Sequence, residues 1–145
     1  MTMLREIPLK DTMVTKVITV QVNEPFSYVE EKFRKNRIRH LPVVDEDNKL
    51  AGIITQQDLY RAAPSRRTEE GDSFDETQLD SLILKHFMTP DPLALTPNST
   101  LAQAIEIMAT LKYGCIPIVA ADKTLVGIVT QIDVLKFIAK WLQGK

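Results

Sequence analysis

The stretch Leu50-Ala-Gly-Ile-Ile-Thr-Gln-Gln-Asp58 occurs a second time as Leu125-Val-Gly-Ile-Val-Thr-Gln-Ile-Asp133. In both copies an apolar, β-branched run ends at Thr-Gln, and an aspartate follows three positions after the threonine. Such a run is typical of a buried strand, and Thr-x-x-Asp is typical of the first turn of a helix. Each copy is therefore predicted to be a strand that leads directly into a helix.

The similarity between the two halves of the chain extends well beyond this stretch. A shift of 75 positions aligns Met13 with Met88, and most of the remaining aligned pairs are apolar against apolar, without a gap. Repetition of this kind indicates two copies of one structural unit. We place the first repeat at residues 1–62, an exposed polar linker at 63–78 and the second repeat at 79–145.

Each repeat shows the same order of predicted elements. A short apolar strand (17–22 and 93–95) precedes an amphipathic helix, two β-branched strands and a second helix. The apolar residues of the two amphipathic helices are Phe26, Val29 and Phe33 in the first repeat and Leu101, Ile105, Met108 and Leu111 in the second. We predict an α/β (α+β) fold of two tandem strand-helix-strand-strand-helix units, packed sheet to sheet with pseudo-two-fold symmetry.

The last helix of the chain carries a further apolar stripe. Its members are Val134, Leu135, Ile138, Trp141 and Leu142. Apolar residues at helical spacing are more often core than part of a cofactor site. The stripe is therefore predicted to lie in the core or in a contact between subunits.

Composition excludes several classes of protein. The chain has 145 residues, a net charge of −1 and 44% hydrophobic residues, which is ordinary for a soluble globular protein and gives no overall attraction to nucleic acid. The single cysteine, Cys115, excludes an intrachain disulfide and suits a reducing cytoplasm. Neither a run of ~20 apolar residues nor a signal-peptide core is present, so we expect a cytoplasmic protein without membrane insertion.

The repeated pattern resembles the CBS domain, which is named after cystathionine β-synthase. The pattern includes Met-x-x-x-x-Ile-x-Val at 13–20, His-Leu-Pro-Val-Val-Asp at 40–45 and Leu-x-Gly-Ile-Ile-Thr-x-x-Asp-Leu at 50–59. Met-Thr-Pro-Asp-Pro-Leu at 88–93 and Gly-Ile-Val-Thr-Gln-Ile-Asp-Val at 127–134 repeat it, so that the resemblance covers about residues 9–140. It implies a tandem pair, called a Bateman module, that binds adenosine-containing ligands in clefts between the repeats. Such modules regulate an attached or partner protein and usually dimerise. No catalytic or transmembrane segment accompanies the repeats, so a stand-alone module is expected.

Two interpretations apply to Thr55 with Asp58 and to Thr130 with Asp133. Residue chemistry alone favours a capping box, in which the threonine accepts from a backbone N–H and the acid reaches back. The resemblance to CBS domains implies instead that both pairs contact ribose. An aspartate facing a cleft accepts hydrogen bonds from both ribose hydroxyls, and the threonine hydroxyl adds another polar contact.

The resemblance also implies that the two repeats share each base pocket. One cleft would combine Ile128, Thr130 and Asp133 with Val17, Ile18 and Ile38. The other would combine Ile53, Thr55 and Asp58 with Pro92, Leu93 and Tyr113. For every apolar residue in these sets, an ordinary place in the core is the alternative.

A basic patch at 34–40 ends in Arg39 and His40, which the resemblance places against ligand phosphates. The alternative is a solvated helix end that suits the helix dipole. At the matching positions the second repeat has Gly114 and Cys115, with Lys112 just before them as a phosphate candidate. We therefore expect unequal clefts, the one with Asp133 and Arg39 favouring a phosphorylated ligand and the other taking a less charged ligand or none.

Together these observations predict a non-catalytic regulatory module that senses an adenine nucleotide. AMP is the favoured ligand among AMP, ADP, ATP, NAD and S-adenosylmethionine, and a homodimer with an unknown regulated partner is expected. The chain lacks phosphate-loop and nucleophile-elbow motifs, and His40 and His86 lie at non-equivalent positions, which argues against a repeated metal site. The alternatives are a ligand-free dimerisation or interaction scaffold and a nucleic-acid binder using the patch at 34–40, which the near-neutral charge disfavours.

Overall fold

The computed structural model describes residues 3–63, 65–69 and 71–144. Within these residues the helices are α1 (Phe26–Asn36), α2 (Gln56–Ala62), α3 (Glu76–Asp80), α4 (Leu101–Leu111) and α5 (Gln131–Leu142). The strands are β1 (Val20–Gln21), β2 (His40–Val44), β3 (Leu50–Thr55), β4 (Arg66–Thr68), β5 (Gly71–Ser73), β6 (Thr89–Pro90), β7 (Cys115–Val119) and β8 (Leu125–Thr130). The predicted mixed α/β class is confirmed.

The chain forms two compact units. The central unit is Ile18–Pro92, and the terminal unit combines Met1–Val17 with Leu93–Lys145. Each unit therefore contains the body of one repeat together with the segment that precedes the other repeat. The repeat boundaries predicted from the sequence (1–62, 63–78 and 79–145) describe the order of the repeats along the chain. As boundaries of domains they stay a prediction.

Within each unit, the segment that precedes the other repeat pairs with the closing strand of the unit. In the central unit β6 pairs antiparallel with β3, so that Gly52 lies opposite Pro90. In the terminal unit the backbone of Val14 exchanges two hydrogen bonds with Ile128 of β8, at 2.9 and 3.0 Å. The closing strand of each repeat is thus covered by the segment that leads into the other.

The two units also repeat each other in strand register. β2 pairs antiparallel with β3, and β7 with β8; His40 lies opposite Thr55, and Cys115 lies opposite Thr130. The predicted first strands are shorter than their apolar runs. Only Val20–Gln21 pairs with β2 in the central unit, and 93–95 contributes a single parallel bridge at Leu95. Pairing, rather than the length of the apolar run, sets the length of these strands.

The cores confirm most of the predicted helix faces. Phe26, Val29 and Phe33 are buried on α1 as predicted. On α4 the prediction is wrong for two residues, because Ile105 and Leu111 are 36% and 49% exposed. The predicted Leu101 and Met108 are buried, and Ala104, which was not predicted, is buried with them. The sequence pattern could not separate these faces because α4 is apolar on more than one side.

Most of the described residues of the predicted linker at 63–78 are exposed, but the prediction is wrong for Ala63, which is buried in the core of the central unit. The region also contains an antiparallel hairpin formed by β4 and β5. Gly71 begins β5 with a φ of 116°, a backbone conformation that glycine adopts without strain. The Tyr60 hydroxyl donates to Asp72 Oδ2 at 2.9 Å, and the rings of Tyr60 and Phe74 lie 5.7 Å apart. The hairpin is therefore attached to α2. Its strands lack alternating apolar residues, so the sequence gives no strand signal there.

Candidate functional site

The Thr-Gln-x-Asp motif of the terminal unit forms a capping box at the start of α5. The Asp133 N–H donates to Thr130 Oγ1 at 3.2 Å, and the Thr130 N–H donates to Asp133 Oδ2 at 2.9 Å. The Thr130 hydroxyl also donates to Asp133 Oδ2, at 2.9 Å. Both hydrogen bonds that the Asp133 carboxylate accepts therefore end on the same oxygen, Oδ2. Within the part of the chain that the structure describes, Oδ1 of Asp133 has no hydrogen-bond or ion-pair partner.

The equivalent motif of the central unit forms the same capping box at the start of α2. The Thr55 N–H donates to Asp58 Oδ2 at 2.8 Å, and the Asp58 N–H donates to Thr55 Oγ1 at 3.2 Å. Here the second oxygen is engaged, because Asp58 Oδ1 lies 3.5 Å from Arg61 Nη1. Arg61 is not among the residues predicted from the sequence, although its position three residues after an aspartate on a helix is a recognisable signal for such a pair.

In both units a backbone hydrogen bond joins the first residue of a helix (α2 or α5) to the residue that precedes a strand (β2 or β7). The Gln56 N–H donates to the Arg39 carbonyl and the Gln131 N–H to the Gly114 carbonyl, each at 3.0 Å. Gln131 also donates from its side-chain Nε2 to the Tyr113 carbonyl, at 3.2 Å. Each unit thus brings its Thr-Gln-x-Asp motif close to the residues predicted from the preceding loop: Arg39 and His40 in the central unit, Lys112 and Tyr113 in the terminal unit.

The basic patch at 34–40 is partly neutralised within the central unit. Arg34 pairs with Glu30 at 3.1 Å and Lys35 pairs with Glu31 at 2.6 Å, both one helical turn apart. Arg39 is exposed and makes no ion pair with any residue that the structure describes. It is therefore available as a cationic contact for an anion.

Two positively charged residues end their helices in the left-handed conformation. Arg37 follows α1 with a φ of 52°, and Lys112 follows α4 with a φ of 60°. A cation at a helix C-terminus is favoured by the helix dipole, which is the alternative that the sequence analysis named for this patch. Lys112 is also exposed, so both roles are open to it.

His40 lies at the first position of β2 and is half-buried. Burial lowers the pKa of His40 below its ordinary value of 6.5, and the neighbouring charge of Arg39 lowers it further. The imidazole is therefore mostly neutral at pH 7, so Arg39 carries the positive charge of this pair at that pH.

The apolar residues predicted to contact the base differ in exposure. Ile18 and Leu93 are each 37% exposed and Tyr113 is 42% exposed, whereas Ile128 is buried at 8%. The others, Val17, Ile38, Ile53 and Pro92, are half-buried. Exposed apolar side chains are available to a ligand, whereas Ile128 packs as an ordinary core residue. The predicted grouping of residues from both repeats into two clefts draws on both units and stays a prediction.

The remaining candidates for chemistry give little support to catalysis or metal binding. Burial raises the pKa of the Cys115 thiol to about 12, so the nucleophilic thiolate is scarce at neutral pH. Among residues 3–63, 65–69 and 71–144, no group of three His, Cys, Asp or Glu side chains is arranged to hold a metal ion. Over the same residues, no helix is both long enough and apolar enough to cross a membrane.

The chain contains two strand-helix motifs. Both have the same strand register, the same capping box and the same pairing with a leading segment, and these shared features define a tandem α/β repeat module. A family model of the CBS domain matches residues 5–65 and 84–140, one match for each repeat. The chain therefore belongs to the CBS domain family, as the resemblance predicted.

Relatives with the same domain were found in several organisms. The chain is 29% identical over 138 residues to a CBS domain-containing protein of Dictyostelium discoideum, with 93% of each chain covered. It is 32% identical over 143 residues to CBSX1, a chloroplastic CBS domain-containing protein of Arabidopsis thaliana. That match covers 85% of this chain and 61% of CBSX1, so the chain spans less than two thirds of this relative.

Solved structures show the same fold. A Vibrio cholerae protein designated AcuB is 28% identical, with a TM-score of 0.78 and coverage of 94% of this chain and 93% of AcuB. CBSX2, crystallised in complex with AMP, is 23% identical with a TM-score of 0.74, over 92% of this chain and 97% of CBSX2. The CBS domain pair of protein MJ0100, crystallised with 5-methylthioadenosine and S-adenosyl-L-methionine, is 24% identical with a TM-score of 0.72, over 90% of this chain and 98% of that one.

Proposed function

We propose that this protein is a regulatory module that binds an adenine nucleotide through its Thr-Gln-x-Asp motifs and transmits its occupancy to a partner protein. AMP is the ligand we favour. The observation that carries the proposal is the state of Asp133, whose Oδ2 is fixed by the capping box while Oδ1 has no partner among the described residues. A carboxylate oxygen held in place and left unpaired is a ready acceptor for a ribose hydroxyl.

The capping box and a ribose contact are compatible uses of one aspartate. An ionised carboxylate accepts about four hydrogen bonds through its two oxygens. The box uses Oδ2 alone in both units, and it holds the side chain in one rotamer. A rigid acceptor loses less conformational entropy on binding than a mobile one, so the box prepares Asp58 and Asp133 for a ligand.

The two motifs are proposed to be unequal. Arg61 occupies Oδ1 of Asp58, although an exposed pair of this kind is worth only about 0–1 kcal/mol and competes weakly with a ligand. We place the phosphate of the ligand against Arg39, with His40 and Lys112 as further candidates. A guanidinium matches phosphate oxygens in geometry, and Arg39 is exposed and without an ion pair among the described residues.

Relatives support the choice of ligand. CBSX2 was crystallised with AMP, and the MJ0100 pair with two other ligands that contain adenosine. Adenosine is the part these ligands share, and a ribose contact through the Thr-Gln-x-Asp motif would serve all of them. AMP is preferred for this chain because Arg39 offers a cation for one phosphate.

Transmission to a partner is proposed to occur through a population shift. A ligand changes the equilibrium between two conformations of a module only as far as its affinity for the two conformations differs. The regulated partner would then bind one of these conformations better. We propose a cytoplasmic location for the module, because its single cysteine, Cys115, is a buried free thiol that suits a reducing compartment.

The first alternative is a scaffold without a physiological ligand. It rests on the capping boxes, because Thr55 and Thr130 already satisfy the first helical turn without any bound molecule. The nucleic-acid alternative loses support, since Arg34 and Lys35 of the basic patch are paired with glutamates on the same helix. Phosphate-backbone binding depends on several unpaired cations acting together.

Isothermal titration calorimetry with AMP, ADP, ATP, NAD and S-adenosylmethionine tests the proposal. We expect saturable binding of at least one of these ligands, with AMP the tightest. If none of the five ligands binds to a protein that is shown to be folded by a cooperative unfolding transition, the scaffold would be the remaining function. Tighter binding of another ligand would keep the module and replace AMP.

A further inference from the structure

The Asp58 motif has a cation beside it that the repeat alignment does not reveal. The cleft that contains Asp58 is expected to take a less charged ligand or none, because Gly114 and Cys115 stand where the first repeat has its basic pair. In the structure, however, Arg61 Nη1 lies 3.5 Å from Asp58 Oδ1. A guanidinium is therefore already in contact with the carboxylate that is proposed to bind ribose.

The two members of this pair differ in exposure. The side chain of Arg61 is 74% exposed, whereas that of Asp58 is 15% exposed. The carboxylate is held by the capping box, because its Oδ2 accepts from the Thr55 N–H at 2.8 Å. An exposed ion pair adds little stability, so the arginine can leave the carboxylate at small cost. The guanidinium is the member of the pair that a ligand can displace.

The Thr55 hydroxyl is a second donor beside Asp58. It accepts from the Asp58 N–H at 3.2 Å, and within the part of the chain that the structure describes it donates to no acceptor. In the terminal unit the Thr130 hydroxyl donates to Asp133 Oδ2 at 2.9 Å, so its hydrogen is already used. The Asp58 motif therefore has both a guanidinium and a hydroxyl hydrogen available for the oxygens of a ligand.

The equivalent position in α5 is Lys136, which behaves differently. Among the described residues Lys136 forms no ion pair, and Oδ1 of Asp133 has no partner. The helix dipole favours a cation at Arg61, which lies in the last turn of α2, and this is the alternative role for the residue. The dipole does not account for the unused hydroxyl hydrogen of Thr55, which is the second feature that suits an anionic ligand.

We propose that Arg61 is the phosphate contact of the Asp58 motif, and that this motif forms a second, weaker site for a phosphorylated ligand. The ribose hydroxyls of the ligand replace the guanidinium at Oδ1 of Asp58, and the released guanidinium binds the phosphate of the same ligand. The Thr55 hydroxyl donates to a further ligand oxygen. The inference rests on the proposed nucleotide binding and names the residue that sets the ligand preference of one of the two motifs.

This exchange makes the phosphate important for binding at Asp58. A nucleoside has to displace Arg61 from Oδ1 and offers the guanidinium no new partner. A nucleotide offers it a phosphate, whose oxygens a guanidinium contacts through two parallel N–H groups. Because the phosphate is attached to the ribose that Asp58 would bind, it lies within reach of a long side chain anchored three residues away. The motif is therefore expected to select nucleotides over nucleosides.

Calorimetric titration with AMP and adenosine tests the proposal in a protein that lacks the contacts assigned to the other site. The double variant Asp133→Ala/Arg39→Ala removes both of those contacts, so the binding that remains reports on the Asp58 motif. We expect it to bind AMP at least about tenfold more tightly than adenosine, which is the effect of one charge-assisted contact. Adding Arg61→Gln should remove this preference. Adding Lys136→Gln, the matched substitution in α5, should leave it unchanged.

The response to adenosine separates a phosphate contact from a structural role. Arg61→Gln should leave adenosine binding intact or strengthen it by up to about fivefold, because the pair with Asp58 no longer competes. A substitution that damaged the fold would weaken both ligands, and thermal unfolding of each variant confirms the fold before titration. Arg61→Lys keeps the charge without the planar fork, so it should retain part of the preference for AMP.

The results that contradict this inference differ from a failure of the proposed function. An equal AMP-to-adenosine ratio in the proteins with Arg61→Gln and with Lys136→Gln would remove Arg61 from the phosphate site. If the wild type binds AMP but the double variant shows no preference for it, the Asp58 motif has no phosphate contact of its own and the proposed function stands. A wild type that binds no nucleotide would overturn the proposed function and this inference with it.

Discussion

The central and terminal units share a strand register and a capping box, but the surroundings of their Thr-Gln-x-Asp motifs differ. Both motifs form a capping box with nearly identical distances. In the terminal unit Oδ1 of Asp133 has no partner among residues 3–63, 65–69 and 71–144, whereas Oδ1 of Asp58 faces Arg61. The helix that follows exposes apolar residues in the terminal unit and is attached to the β4–β5 hairpin in the central unit.

This difference shows which positions the repeated fold constrains. Residues that set the backbone agree between the units, including the capping threonines and the left-handed residues Arg37 and Lys112 after the first helix. Exposed residues outside these positions differ more, as with Tyr60 and its equivalent Leu135. The two motifs therefore share one structural role, the capping of a helix, while the side chains around them differ.

The largest expected difference between equivalent substitutions in the two units is in nucleotide affinity. Asp133→Ala should weaken AMP binding by roughly ten- to a hundred-fold, because a charge-assisted hydrogen bond is worth about 1.5–3 kcal/mol. Asp58→Ala should weaken it less, since AMP is proposed to use the cleft that combines Asp133 with the phosphate contact Arg39. Calorimetric titration of both variants measures the difference. Equal affinities for wild type and Asp133→Ala would reduce Asp133 to a helix cap.

The next effect concerns the stability of the leading segments. A Cβ at Gly52 would lie 2.6 Å from Met88 Sδ and 2.9 Å from the Thr89 carbonyl, whereas one at Gly127 would lie 2.8 Å from Met13 Sδ and 3.1 Å from the nearest backbone oxygen. Gly52→Ala should therefore cost about 1–3 kcal/mol of unfolding free energy, and Gly127→Ala less, because a methionine side chain moves more easily than backbone. Urea unfolding decides the order, and a more stable Gly52→Ala would refute the close packing.

Arg39 should affect phosphate recognition selectively. Arg39→Ala is expected to lower the affinity for AMP by about tenfold while leaving that for adenosine nearly unchanged, because adenosine has no phosphate. Added salt should weaken AMP more than adenosine in the wild type. The measurement is the AMP-to-adenosine affinity ratio in both proteins. An identical ratio would remove Arg39 from the site.

The smallest effect concerns pH. Because burial and Arg39 lower the pKa of His40 below 6.5 in the fold, the unfolded chain binds more protons just below that pH. The stability that His40 contributes is therefore complete above about pH 6.5 and is lost as the pH falls through and below it. Urea unfolding at pH 7.5 and 5.5 should show a larger loss for the wild type than for His40→Gln. The same loss in both proteins would show that His40 is not responsible.

Much of the fold could be predicted because each local sequence pattern occurs twice, once in each repeat. The β-branched runs, the Thr-x-x-Asp caps and the helix start at Gln56 and Gln131 are local features of the sequence, and the structure has them where the pattern places them. The exposed face of α4 and the hairpin after α2 could not be predicted. α4 is apolar on several sides, and the hairpin is held by the Tyr60–Asp72 contact rather than by a pattern within its strands.

The site could be predicted only in part. The sequence identifies Thr130 and Asp133 as a pair, but it cannot show which carboxylate oxygen the helix uses. The sequence also could not predict that the segment before each repeat pairs with the closing strand of the other repeat. The pairing of Val14 with Ile128, for example, joins residues far apart in the chain. Long-range pairing of this kind depends on tertiary packing and leaves no local pattern.

The most direct test of the account compares adenosine with 2′,3′-dideoxyadenosine, which lacks both hydroxyls of the ribose edge. Titrated into the wild type, adenosine should bind roughly ten- to a hundred-fold more tightly, because Asp133 accepts the missing hydrogen bonds. In Asp133→Ala the two ligands should bind with nearly the same affinity. Equal binding of both ligands by the wild type would contradict ribose recognition by this motif and leave the aspartate with its capping role alone.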